Sequence, residues 1–345
     1  MTGKLKQMLT GAAIVGLALA TPLAASAQEM PGKGTTIKMA RPSWDTGWFD
    51  TEIYRQLLEK LGYEIDQPTT LDVAAFYQAV GQGDVTMWVE GWFPLHNTYE
   101  DAFKGTAEKI GYVAEGGALQ GYLVDKVSAE KYDIKTLDDF KRPEVKEAFD
   151  RNGDGKADLV ACPPGWGCEI TISHQMKAFD LTDDINPVKA NYSASMADAI
   201  AAHEAGEPIL FYTWTPNWTV NELKPGKDVV WIQTSSVKLP EDQMNLADAA
   251  TVKGLKGCVA DPCVLGWPAN DIRPVANSEF LEANPAAKSL IAAASVPLED
   301  IFAQNAKMNA GENSEEDIAK QATAWIDEHK TETDKWLADA RAAAK

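Results

Sequence analysis

The sequence predicts an α/β fold in two lobes with a ligand cleft between them. Three observations carry this. Short apolar runs of β character alternate with helical patterns, as strand–helix–strand units do. The chain has 345 residues, long enough for two cores of ordinary domain size. Several of its 11 Trp fall in short segments at the ends of predicted strands, where open α/β sheets hold ligands.

The first 27 residues read as an export signal outside the fold. Lys4 and Lys6 form its positive start, Met8 to Ala20 its apolar run, and Ala25-Ser26-Ala27 a small-residue cleavage site. That run is shorter than a bilayer-spanning helix, so cleavage after Ala27 is expected over an uncleaved anchor. No Cys stands there to take a lipid. The expected product is periplasmic, not membrane-embedded, and monomeric. With 51 Asp+Glu against 32 Lys+Arg and a formal charge of −19, nucleic acid and anionic membrane surfaces are excluded as partners. A hydrophobic content of 45% excludes disorder.

Beyond the signal, residues 35–39 read as a strand. Residues 48–61 read as a helix closed by Gly62, and 63–65 as a strand. A helix over 72–80 has Asp72 as N-cap and Gly81 and Gly83 at its end. Residues 85–89 form a strand leading to Trp92. This alternation implies a parallel sheet core. Strands follow at 120–124, 208–214 and 229–233, with helices starting at 136 and over 170–178. The tail, 278–294 and 315–341, is Ala-rich, charged and helical in period. No flexible linker separates the lobes, so short segments must cross between them, with 121–124 and the region after Trp231 as candidates. One lobe is expected to comprise 34–122 and 236–345, the other 123–235.

Export changes how the four cysteines read. Four cysteines allow three pairings. An oxidising compartment favours the two short loops Cys162–Cys168 and Cys258–Cys263 over a four-Cys zinc site, whose knuckles are usually tighter. The first loop holds two Pro and runs into a helix, so the amides near Gly167 and Cys168 sit at a helix N-terminus suited to a carboxylate. Trp92, Trp166 and Trp214 lie in three strand-end segments that a cleft would bring together. Indole faces attract a quaternary ammonium at about 0.5–2 kcal/mol each when desolvated. A cation box beside an amide cradle fits a small zwitterion. Trp88 and Trp218 alternate with box residues and are expected in the core.

The runs GDVTMWVEGWFPLHN (83–97), FDRNGDGKADL (149–159), CPPGWGCE (162–169), FYTWTPNW (211–218), NELKPGKDVVW (221–231) and AQNAKMNAGENSEEDI (303–318) together resemble the substrate-binding proteins of glycine betaine/proline betaine ABC transporters, of the ProX type. The likeness also takes in PGKG (31–34) and LEKLGY (58–63) and covers almost the whole mature chain. It implies a type II periplasmic binding protein that closes on a betaine and delivers it to an ABC permease and its ATPase. By resemblance, Trp92, Trp166 and Trp214 form the ammonium box, and His96 with the amides of Gly167 and Cys168 clamps the carboxylate. His96 owes this role to the resemblance alone; by itself it reads as a surface or capping residue.

The segment 41–49 departs from the family pattern by carrying Trp44 and Trp48, which either edge the cleft or pack the first helix. The Cys258–Cys263 loop looks like an insertion. Asp150, Asn152, Asp154, Lys156 (through its carbonyl) and Asp158 resemble the first nine positions of an EF-hand loop, but Ala161 stands where a bidentate Glu is needed. The choice there is between a structural calcium site and an Asn-Gly-Asp-Gly turn. No other cofactor is expected. The alternatives are a receptor for choline, carnitine or dimethylsulfoniopropionate, an exported carbohydrate-binding protein, and an exported enzyme. The enzyme is disfavoured because His96, His174, His203 and His329 fall in no catalytic motif. The carbohydrate protein is disfavoured because the Trp segments lack the Asn, Arg and Gln that sugars need.

Overall fold

A computed structural model describes residues 30–345; the export signal and its cleavage after Ala27 lie outside the described residues. Two sheets organise the chain. In the first, Asn270–Asn277 lies between Met87–Phe93 and Ala107–Lys109, pairs also with Ala114–Ala118, and is antiparallel to all three. The short parallel pair Ala40–Pro42 with Thr69–Leu71 flanks it, joined through a bridge from Met39 to Met87. The second sheet has the order Ile185–Val188, Ala157–Val160, Leu210–Trp214, Gln120–Asp125, Val229–Ile232.

The expected parallel core is realised only in part. The first three strands of the second sheet are parallel, but Gln120–Asp125 runs antiparallel to both its neighbours. That strand arrives from the other sheet instead of through a helical crossover, and only such a crossover forces a parallel pairing. The chain changes sheet at Leu119, which Thr215 grips twice: Leu119 N–H donates to Thr215 Oγ1 at 3.2 Å and Thr215 N–H donates to Leu119 O at 2.9 Å. Segment 121–124, expected as a crossing, is therefore interior strand. On the way back, Trp231 N–H donates to Gly257 O at 2.9 Å, Val259 N–H to Trp231 O at 3.1 Å and Thr234 N–H to Val264 O at 2.9 Å. These bonds hold the segment after residue 236 against the second sheet.

Helices Trp48–Glu59 and Val73–Gln82 back the first sheet, the latter closed by Gly83 at φ 82°, the left-handed C-terminus that glycine permits. Asp72 precedes that helix without a side-chain cap bond; its carboxylate accepts from Ser43 Oγ at 2.6 Å instead. The helix expected at 136 is a 3-10 turn, Leu137–Lys141. The tail is broken: Ser278–Ala283 ends before Pro285–Ala293, where Pro285 starts a new helix, and Glu315–Glu328 meets Lys330–Ala343 at His329. Helices Tyr192–Glu204 and Leu298–Asn309 were not read from the sequence. Trp88 is fully buried and stacks on Phe76 at 4.0 Å; burying a side chain of this size contributes roughly 1.5–3 kcal/mol. Trp218 is also buried.

The disulfides are Cys162–Cys168 and Cys258–Cys263, each with its Cα atoms 6.1 Å apart. In the Asp150–Asp158 loop the carboxylates turn to the loop's own backbone. Asp150 accepts from the amides of Gly153, Asp154 and Gly155, and Asp158 from those of Arg151 and Asn152. Among the described residues no group of three or more His, Cys, Asp or Glu is gathered to hold a metal. No described helix is long and apolar enough to cross a membrane.

Candidate ligand site

A cavity opens where the two sheets' strand ends face each other. Trp44, Trp92, Trp166, Trp214, Tyr212, Gln120, Leu95, His96, Gly167 and Cys168 line it. The three Trp predicted as a box are therefore brought to one cavity, each from a different element. Trp92 is the penultimate residue of the strand Met87–Phe93, Trp166 precedes the helix Gly167–Ala178, and Trp214 ends the strand Leu210–Trp214. Trp166 is the hub. Its ring centroid lies 5.6 Å from Trp214 at 78° and 5.6 Å from Trp44 at 73°. Tyr192 backs this corner, 4.9 Å from Trp214. Indole faces carry negative quadrupole potential, which favours a cation.

Of the two departures in segment 41–49, Trp44 lines this cavity. Trp48 lies further out: Arg41 stacks on its ring at 3.8 Å and its indole N–H donates to Pro42 O at 2.9 Å. It borders the outer mouth with Ser43, Asp72 and Asn191.

Indole N–H groups fix the rings. Trp44 Nε1 and Trp92 Nε1 both donate to Glu90 Oε2, at 3.1 and 3.0 Å. Trp166 Nε1 donates to Ser43 Oγ at 3.0 Å, across the gap between the sheets. Gly165 lies so close to Asp72 that a Cβ on it would come within 2.9 Å of the carboxylate. These contacts hold the cleft shut.

The other end of the cavity is built of donors. Gly167 and Cys168 are the first two residues of a 12-residue helix, so their amides have no acceptor within it. Trp166, at the N-cap, makes no side-chain cap bond. His96 stands beside them, in the turn Leu95–Tyr99, with Nε2 3.1 Å from where a Cβ on Gly167 would sit. Its other nitrogen, Nδ1, accepts from the Trp92 backbone N–H at 3.1 Å and lies 3.0 Å from the Tyr77 hydroxyl. An amide can only donate, so Nδ1 is the bare nitrogen and the proton sits on Nε2, toward the cavity. Burial holds the imidazole down at about 3, so at neutral pH this is an uncharged donor. Three N–H groups thus converge at a helix N-terminus, a good place for an anionic group.

Reading the sequence missed four residues here. Tyr212 and Gln120 sit on paired strands, Tyr212 donating to Gln120 Oε1 at 2.6 Å. Gln120 Nε2 and Trp214 Nε1 find no partner among the described residues. Leu95 fills the wall between box and cradle. Glu90 was legible in principle: Trp88, Glu90 and Trp92 alternate along one strand, and an acid between two Trp on one face asks for a reason.

Residues 35–328 match the family model described as the substrate binding domain of ABC-type glycine betaine transport systems. The chain is 42% identical to the glycine betaine-binding periplasmic protein OusX of Dickeya dadantii, over 95% of this chain and 98% of that one. It is 41% identical to the glycine betaine/proline betaine-binding periplasmic protein of Salmonella typhimurium, over 96% and 98%. Among solved structures, lactococcal OpuAC in its closed-liganded conformation with glycine betaine superposes with a TM-score of 0.65 at 18% identity, covering 88% of this chain and 99% of that one. That likeness speaks for the two-lobed binding-protein fold.

Proposed function

The chain belongs to the family of substrate-binding domains of ABC-type glycine betaine transport systems, and on that premise we propose that it is a periplasmic receptor for glycine betaine and proline betaine. It captures the zwitterion and hands it to a membrane permease driven by an ATPase; we assign it no turnover. In this reading Trp92, Trp166 and Trp214, joined by Trp44, hold the methylated ammonium. A quaternary nitrogen offers no N–H, so ring faces suit it where polar side chains do not. His96 Nε2–H and the amides of Gly167 and Cys168 hold the carboxylate. The leader ending at Ala27 would be removed on export, and the mature chain would act as a monomer.

The observation that carries this is the polarity of the cavity: four indoles surround one part of it and three converging N–H groups the other. Isothermal calorimetry with glycine betaine, proline betaine and choline tests it. Both betaines are expected to bind. Choline, which has no carboxylate for the three donors, should bind at least about tenfold more weakly. Choline binding as tightly as glycine betaine, or no betaine binding, would overturn the assignment.

A further inference from the structure

Behind the box lies a second layer that the ligand would not touch. Glu90 is buried and absent from the cavity wall, yet a single oxygen of it, Oε2, accepts the N–H of Trp44 at 3.1 Å and of Trp92 at 3.0 Å. Gly47 makes room for it: a Cβ there would come within 2.7 Å of Glu90 Cγ. Asp50, fully buried on the helix Trp48–Glu59, neighbours the Glu90 carboxyl, and among the described residues neither Asp50 oxygen nor Glu90 Oε1 has a hydrogen-bond partner. Burial first, and the Glu90 charge second, push Asp50 well above the usual carboxylate range, so Asp50 keeps its proton. Glu90, whose Oε2 accepts two indole N–H groups, is the member of the pair placed to carry a negative charge.

That charge lacks a counter-ion. Among the described residues neither acid takes part in an ion pair with Lys, Arg or His. His96, which lines the cavity, is uncharged at neutral pH. A buried charge without a partner is costly, and such a cost persists where something else offsets it. The space on the far side of the two indoles is the cation box.

We propose that Glu90 is the charged anchor of the box: it fixes two of the four indole walls and supplies the negative charge that makes the box select a permanent cation over a neutral group of the same shape. A carboxylate accepting an indole N–H pushes electron density into the ring and adds its own field across it, and both effects favour a cation at the ring face. Glu90 is a positioning residue, acting through Trp44 and Trp92. The inference rests on the proposed quaternary-ammonium function.

The test uses three probes on the full mature chain: glycine betaine, tetramethylammonium, and 3,3-dimethylbutyrate, in which carbon replaces the charged nitrogen of glycine betaine. Asp50→Asn keeps the charge on Glu90 and supplies a donor to it. Asp50→Asn combined with Glu90→Gln removes the charge while keeping shape and hydrogen bonds. The double variant is expected to lose at least about tenfold in affinity for glycine betaine and tetramethylammonium, the order expected for one unit charge roughly 7 Å away in a partly buried site. Its affinity for 3,3-dimethylbutyrate should stay level or rise, and Asp50→Asn alone should stay within about threefold of wild type for all three. A purely structural role would weaken all three probes alike, and that result, or an unchanged preference for the cations, overturns the proposal. If the double variant fails to fold, Glu90→Gln alone is read the same way; there the charge retreats to Asp50 and the preference should fall by about threefold, no fall being the contrary result. Wild type that binds none of the three probes would instead defeat the function reading itself.

Discussion

Replacing Trp166 by Ala removes two things at once. The first is the ring face at the corner shared with Trp44 and Trp214, both 5.6 Å away. A desolvated cation–aromatic contact is worth about 0.5–2 kcal/mol. The second is the hydrogen bond from Trp166 Nε1 to Ser43 Oγ, 3.0 Å long, which spans the cleft and so belongs to the closed form; it contributes about 0.5–1.5 kcal/mol. Together they amount to about 1–3.5 kcal/mol, or a loss of about 5- to 300-fold in affinity for glycine betaine. Trp166→Phe separates the terms, keeping a ring and losing the N–H, and should cost only about 2- to 12-fold. Trp166 is half-buried and follows a rigid disulfide loop, so neither variant should unfold the protein, which thermal denaturation checks. Calorimetry reads both constants. A Phe variant as weak as the Ala variant, or an Ala loss below threefold, would refute the box.

Four further outcomes follow from the same geometry. His96 is neutral with its folded value at about 3, so glycine betaine affinity should be flat from pH 5.5 to 8; a fall centred near 6.5 would show a charged imidazole instead. The same depression makes the fold more stable above the free-histidine value and less so as pH falls toward about 3, a loss of about 1.4 kcal/mol by pH 5.5 that His96→Gln should remove from a pH series of denaturant unfolding. Asp50 is shifted the other way: its contribution is complete below the unfolded value and is lost as pH rises toward the folded one. Asp50→Asn should therefore raise the unfolding midpoint at pH 7.5 by about 1–3 °C, and a drop would contradict the protonated assignment. Gly167→Ala would put a Cβ 3.0 Å from His96 Cδ2, tilting the imidazole off the carboxylate position; titration should show about tenfold weaker betaine binding with the cation preference unchanged.

How much of this was legible in the chain follows from what each feature depends on. Local features could be read: Gly83 closes its helix because only a left-handed residue ends it there, and the two short cysteine loops pair as their spacing suggests. The three strand-end Trp segments could be placed at one cleft because an α/β sheet exposes its strand ends there. What depends on long-range pairing could not. Asn270–Asn277 draws residues near 90 and 115 together over more than a hundred positions, and nothing local in it announces a central strand. Gln120 enters the cavity because it registers opposite Trp214, a pairing known only once the sheet forms. Trp44 divided from Trp48 for the same reason: a four-residue offset cannot say which ring faces the cleft until Glu90 is placed.

The central claim is that indole faces receive the cationic end of a zwitterion while a helix N-terminus and a neutral imidazole receive its carboxylate. A crystal structure of the complex with glycine betaine tests it most directly. The quaternary nitrogen should lie within about 6 Å of the ring centroids of Trp92, Trp166 and Trp214, and a carboxylate oxygen within about 3.2 Å of His96 Nε2 and of the Gly167 and Cys168 amides. A ligand bound in the reverse sense, or seated outside this cavity, would contradict the account.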